Sequence, residues 1–239
     1  MGVWNLIRRD EPTVEDTRRA LQEARRGTEG GDANVVSRLV ERFRDIGLDG
    51  KLTFASAGKV AARAHRRHRD PERAIHRVVR QHVRGVAAGG FVTGLGGFLT
   101  LPVALPLNVA EFYLQATRMV GSIARLRGYD LTDDRVRTAV MLTLTGEDPG
   151  DILRQAGLGA VGGHVAQSVG GRLPRGAMMM INKGIGFRML RRAGERSLAS
   201  FGRAVPALGG VVGAFYDVRQ LRRIAAAARR EFPELPVRG

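Results

Sequence analysis

GVAAGGFVTGLGGFLTLPVALPLNVA, residues Gly85 to Ala110, holds no charged side chain in a chain whose formal net charge is +16. Nine Lys/Arg stand between Lys59 and Arg84, immediately before it. The run exceeds the roughly 20 apolar residues that cross a bilayer as one helix. Pro102 and Pro106 interrupt it, and an interior proline loses a backbone hydrogen bond and clashes with the preceding turn. The reading is a helix to about Gly96, an irregular link over Thr100–Leu105, and a long helix from about Pro106 to Leu126. Two half-length helices suit a re-entrant, interfacial or buried hairpin better than a single span. A basic approach to such a hairpin points to a lipid surface, or to a core that hides it.

Outward from this stretch, helix signals recur. Thr13 opens a short polar helix that ends near Gly27, and Asp32 caps a second that Gly47 stops. Ser56 starts another. Asp70-Pro71-Glu72 combines a capping acid, a first-turn proline and an acid at the positive end of the dipole. Gly128 ends the long helix, and Thr132 caps the next, to Gly146. Asp148-Pro149 opens another, and a last helix runs from about Pro206 to Phe232. No alternating Val/Ile/Thr run with hairpin turns occurs, which argues against strands. The fold class expected is all-α, a multi-helix bundle with a Gly/Pro-broken apolar helical hairpin in the middle. Residues 1–55 form an Arg-rich N-terminal helical extension and residues 56–239 the helical domain. Gly90/Gly94, Gly159/Gly163 and Gly209/Gly213 have the spacing that lets helices approach closely.

Aromatic residues are only 5% of the chain, so its core is built from aliphatic side chains and Met. With no cysteine, disulfides and Cys-based zinc sites are excluded. The opening MGVWNLIRRDEP lacks the features of a signal peptide, which leads to a cytoplasmic expectation. The excess of cations favours anionic partners, acidic lipid or nucleic acid. Only three of the 39 cations are Lys, a bias that a GC-rich genome would also produce.

Asn108, Glu111, Gln115, Arg118, Ser122 and Arg125 recur at spacings of three and four, on one narrow helical stripe. The stripe is either a solvated face or a polar seam inside the bundle, where Arg118 would bind a head-group phosphate. Asp217 aligns with Gly213, Gln220, Leu221 and Ile224 on a face that looks buried, and there it needs a cation such as Lys183 or Arg118. Asn182-Lys183 is a third polar island. His65 and His68 sit among Arg66, Arg67 and Arg69, which would repel a divalent metal. Gly157–Gly162 matches GxGxxG without a preceding strand or a following acid, so no dinucleotide site is read. No cofactor, metal site or catalytic set is assigned.

Three blocks carry a family resemblance. Gly89–Leu131 resembles the signature of the EcsC family of bacterial proteins, and Ile181–Gly194 and Val205–Phe232 are similar to its C-terminal pattern in order and spacing. The resemblance covers Pro71 to Phe232 and departs from longer members in the Arg-rich N-terminal extension. It implies an α-helical, membrane-linked protein without agreed catalytic residues. It also implies a membrane-protein partner such as an ABC transporter, beside which the founding member is encoded.

The function expected is non-enzymatic binding of anionic lipid surfaces at the inner face of the plasma membrane. The expected lipid contacts are Arg66, Arg67 and Arg69, then Arg73, Arg77, Arg80 and Arg84, and later Arg222, Arg223, Arg229 and Arg230. Phe91, Leu95, Phe98, Leu99 and Leu101 supply the apolar contact. Two alternatives stay open. The same cations would suit nucleic acid, but both basic stretches lack stacking aromatics. A lipid-acting hydrolase would use Glu111 or Asp217 as general base.

Overall fold

The long helices leave the uncharged run unbroken by its prolines. The computed structural model describes residues 44–50, 55–95, 97–144 and 206–235. Its elements are α1 (Ala57–Arg67), α2 (Pro71–Leu95), α3 (Gly97–Leu126), α4 (Asp134–Thr143) and α5 (Pro206–Glu231). A helical stretch at residues 44–49 precedes them. The fold is all-α, with no strand among the described residues. The readings at Thr13 to Asp32 and Asp148-Pro149, like most of residues 1–55, lie outside the described residues.

The irregular link expected over Thr100–Leu105 is corrected: α3 runs through both Pro102 and Pro106. α2 ends at Leu95, beside the end expected near Gly96, and α3 begins at Gly97. Each proline forfeits one intrahelical bond, and α3 continues as a helix through both to Leu126.

The ends of the helices follow local chemistry. Ser56 Oγ accepts from the Lys59 amide at 3.2 Å, capping α1. The Asp70 carboxylate accepts from the Glu72 and Arg73 amides at 3.3 and 3.2 Å, and Pro71 opens α2. At α4 the cap is Asp133, not Thr132. Asp133 Oδ1 accepts the Arg135 amide at 2.8 Å, while the Thr132 amide donates to Asp130 at 2.9 Å. A carboxylate one residue later outcompetes the hydroxyl because it is the stronger acceptor. Past α3, Gly128 takes φ +92°. Its amide donates to Arg125 O, and that of Tyr129 to Ala124 O, both at 3.1 Å. These paired bonds satisfy the last carbonyls of α3 and need the left-handed conformation that glycine allows.

Gly47 does not stop its helix. Helical residues 44–49 run past it, and Gly50, at φ 73°, follows them. Gly47 is a site of close approach: a methyl there would lie 2.7 Å from Thr117 Cγ2 on α3. One turn along α3, a methyl on Gly121 would overlap Leu48 and crowd Ala57. Arg137 of α4 holds the segment down, with Nη2 2.9 Å from Asp45 and 2.8 Å from Asp49.

Residues 112–124 of α3 are all buried, so α3 is the central helix, apolar on nearly every side. Around Phe112, Met119 and Ile123 pack Ile75 and Val78 of α2, Leu221 and Ile224 of α5, and Phe232. At one end of the bundle Arg127 pairs with Glu72 at the start of α2 and reaches Glu234, after α5, at 3.5 Å. Its carbonyl accepts the Leu235 amide at 3.1 Å. Tyr129 and Phe232 meet edge to face, with ring centroids 5.2 Å apart. The C-terminal ends of α3 and α5 therefore meet the N-terminal end of α2. α5 also packs along α2, so α2 is antiparallel to both.

Candidate functional site

The middle of the polar stripe on α3 is a buried seam. Gln115, Arg118 and Ser122 are at most 3% exposed, Glu111 is half-buried and Arg125 is exposed. Asn108 is in the helix, with its side chain outside the described set. Ser122 Oγ lies 3.0 Å from Ala57 O and 2.7 Å from Arg118 O, joining α3 to the start of α1. The guanidinium of Arg118 donates from Nη2 to Gln115 Oε1 at 2.9 Å, and from Nε to His82 Nε2 on α2 at 3.3 Å.

His82 is fully enclosed, with Nδ1 2.8 Å from Val78 O. Burial, and then the charge of Arg118, push its pKa down to about 3, against the opposing pull of the Val78 bond. The ring is therefore neutral near pH 7. The tautomer protonated on Nδ1 satisfies both bonds, donating to Val78 and accepting from Arg118. Such a ring orients a guanidinium; it is too weak a base for proton transfer at neutral pH.

Asp217 is buried on α5 at 3% exposed, beside Gln220 at 9%, as the helical alignment anticipates. Asn182 and Lys183 lie outside the described residues. Of the sequence candidates, the hydrogen bonds described above join Gln115 directly to Arg118. Among the described residues no group of three His, Asp or Glu is placed to hold a metal ion.

Of the expected lipid contacts, Arg66, Arg67, Arg69, Arg73, Arg80 and Arg84 are exposed, as are Arg222, Arg223 and Arg230. Arg77 is half-buried, and burial together with the Arg67 charge lowers its pKa. Arg229 is also half-buried, with Nε enclosed. Phe91 and Leu95 fall in α2, and Phe98, Leu99 and Leu101 in α3, with their side chains outside the described set.

Two kinds of residue escape sequence reading. His82 carries the seam into α2, and its place among Ile75, Val78 and Val79 is the signal that would have found it. Phe215 and Tyr216 are 67% and 58% exposed, on the side of α5 away from the buried Asp217 face. Their position one turn before Arg219 is the only hint.

The charged and charge-free parts of the three long helices change over at levels within about 6 Å of one another. At about 1.5 Å per residue, the last charge of α2, Arg84, stands about 18 Å above Glu72. The first charge of α3, Glu111, is about 24 Å above Arg127, and that of α5, Asp217, about 22 Å above Phe232. Beyond that common level the sequences of α2, α3 and α5 carry no charge. The bundle thus has a cationic pole and a charge-free pole, with the Arg118–His82 seam about 3 Å below Arg84 on α2 and about 10 Å below Glu111 on α3. Among the described residues no helix is long and apolar enough to cross a membrane. No family model, curated protein or solved structure matches the chain.

Proposed function

We propose that this protein binds anionic lipid surfaces, entering the membrane face with its charge-free pole and remaining peripheral. The observation that carries this reading is the common level at which α2, α3 and α5 lose their charges. The charge-free lengths, 85–95, 97–110 and 206–216, extend about 16 to 21 Å. That is roughly half to two thirds of a hydrocarbon core of about 30 Å. The depth suits one leaflet rather than a crossing.

Exposed cations just below the boundary, Arg80, Arg84, Arg219, Arg222 and Arg223, then fall within reach of lipid phosphates. Each contributes on the order of 1 kcal/mol near an anionic surface. Arg66, Arg67, Arg69 and Arg73 stand near the far pole, more than a screening length from the head groups, and lie outside the contact. The buried Arg118 and its neutral partners brace the helices under the boundary. The EcsC-like blocks support this reading, and with it a location at the inner membrane face and a transporter-type partner.

Sedimentation with vesicles tests it. Binding to phosphatidylglycerol vesicles but not phosphatidylcholine vesicles, weakening with added salt, is the expected result. Equal absence from both pellets overturns the reading.

A further inference from the structure

We infer that the exposed edge of α5 is the line of bilayer contact, with Phe215 and Tyr216 at the boundary between head groups and acyl chains and Arg219, Arg222 and Arg223 on anionic head groups. This rests on the membrane reading above and names the residues that make it.

Among the residues whose side chains are described, Phe215 and Tyr216 are the exposed large hydrophobics. At about 100° per residue they share one side of the helix with Arg219, Arg222, Arg223 and Arg230, an arc of roughly 120°. All four arginines are exposed. Both acids of the helix turn the other way: Asp217 is 3% and Glu231 5% exposed. The edge therefore presents aromatic rings and positive charge without a carboxylate.

The order along the helix selects the occupant. Residues 206–214 before the aromatics carry no charge, and every exposed cation of the helix follows them. Aromatic rings between an uncharged and a cationic zone match the interfacial belt of membrane proteins. A single-stranded nucleic acid would instead be met by aromatic rings interleaved with cations.

Distance along the helix makes the inference specific. Arg219, Arg222 and Arg223 lie within about 10 Å of Tyr216, and Arg230 about 21 Å away. Screening at physiological salt acts over about 8 Å. With the charge-free pole inserted, the first three cations meet the head groups and Arg230 does not.

The full chain, its variants and phosphatidylglycerol vesicles provide the test. Phe215→Ser with Tyr216→Ser should weaken binding about ten-fold, equivalent to about 1.4 kcal/mol. Arg219→Gln, Arg222→Gln and Arg223→Gln should each weaken it up to about five-fold, and Arg230→Gln by far less. Circular dichroism checks that these surface variants keep their helix content. Tyr216→Trp in a Trp4→Phe background should show blue-shifted emission quenched by lipids brominated near the head group.

If wild type binds the vesicles and the aromatic variant binds equally well, this edge is not the contact and the broader membrane reading survives. Emission from the Tyr216→Trp variant that vesicles leave unchanged has the same meaning. If wild type ignores the vesicles, both readings fall together. If it instead binds oligo-deoxythymidine, with Arg230→Gln as damaging as Arg222→Gln, the edge serves nucleic acid.

Discussion

Arg118 of α3 donates from Nε to Nε2 of His82 on α2 across 3.3 Å, with both side chains buried. A protonated imidazole has no lone pair for that bond and would set two positive charges side by side. The relationship makes the helical hairpin dependent on pH.

His82 has a folded pKa of about 3, against 6.5 for the free side chain. The unfolded chain therefore binds the extra proton first as pH falls. Stability from this group is full above about pH 6.5 and is lost progressively toward pH 3. Asp130 and Asp133, held below the usual 3.8 chiefly by hydrogen bonds from Thr132 and Arg135, act in a lower window. Thermal melts between pH 7 and 4 should show the loss in wild type and less of it in His82→Gln. A flat wild-type profile would contradict the assignment.

Gly47 and Gly121 mark where two helices nearly touch, and the added methyl would meet packed side chains in each case. Gly47→Ala and Gly121→Ala should each cost about 1–3 kcal/mol in urea unfolding. Gly58→Ala is the contrast: its methyl meets nothing nearer than Ser56 Oγ at 4.0 Å, inside α1. That substitution should stabilise by about 0.5–1 kcal/mol through helix propensity.

Arg137 joins α4 to Asp45 and Asp49. The aspartates are partly solvated, so screening reduces the value of the pairs. Arg137→Ala should cost about 1–2 kcal/mol. Its signature is local: faster amide exchange over residues 44–50, with little change in the centre of α3.

Phe232 is fully buried against Tyr129. Phe232→Ala should destabilise the bundle by about 3–5 kcal/mol. Phe232→Leu, which keeps most of the apolar volume, should cost much less. Comparable losses for the two variants would show that the site tolerates no reshaping.

The parts of the fold legible in the sequence are those set by local chemistry. Ser56, Asp70-Pro71 and Gly128 begin or end helices because each satisfies backbone groups within a few residues. Pro206 opens α5 as a first-turn proline. Pro102 and Pro106 carry local breaking signals, yet α3 runs through both. Tertiary packing decided the rest. Gly47 reads as a stop because glycine serves equally for a turn and for a tight crossing, and only the presence of Thr117 distinguishes them. The seam on α3 was visible as a periodic stripe, but its burial was not, because spacing shows that residues share a face without showing what covers it. His82 was hidden for the same reason: its partner is 36 residues away.

The anchoring of α5 at Phe232 and Leu235 has a consequence for how this chain can change over time. One residue inserted between Arg223 and Phe232 would raise the Phe215–Arg223 edge by about 1.5 Å and swing it by about 100°, turning Asp217 outward. Point changes along that edge alter only one contact at a time. Gains and losses of residues in α5 should therefore be selected against far more strongly than replacements, leaving its length a more lasting mark of ancestry than its letters.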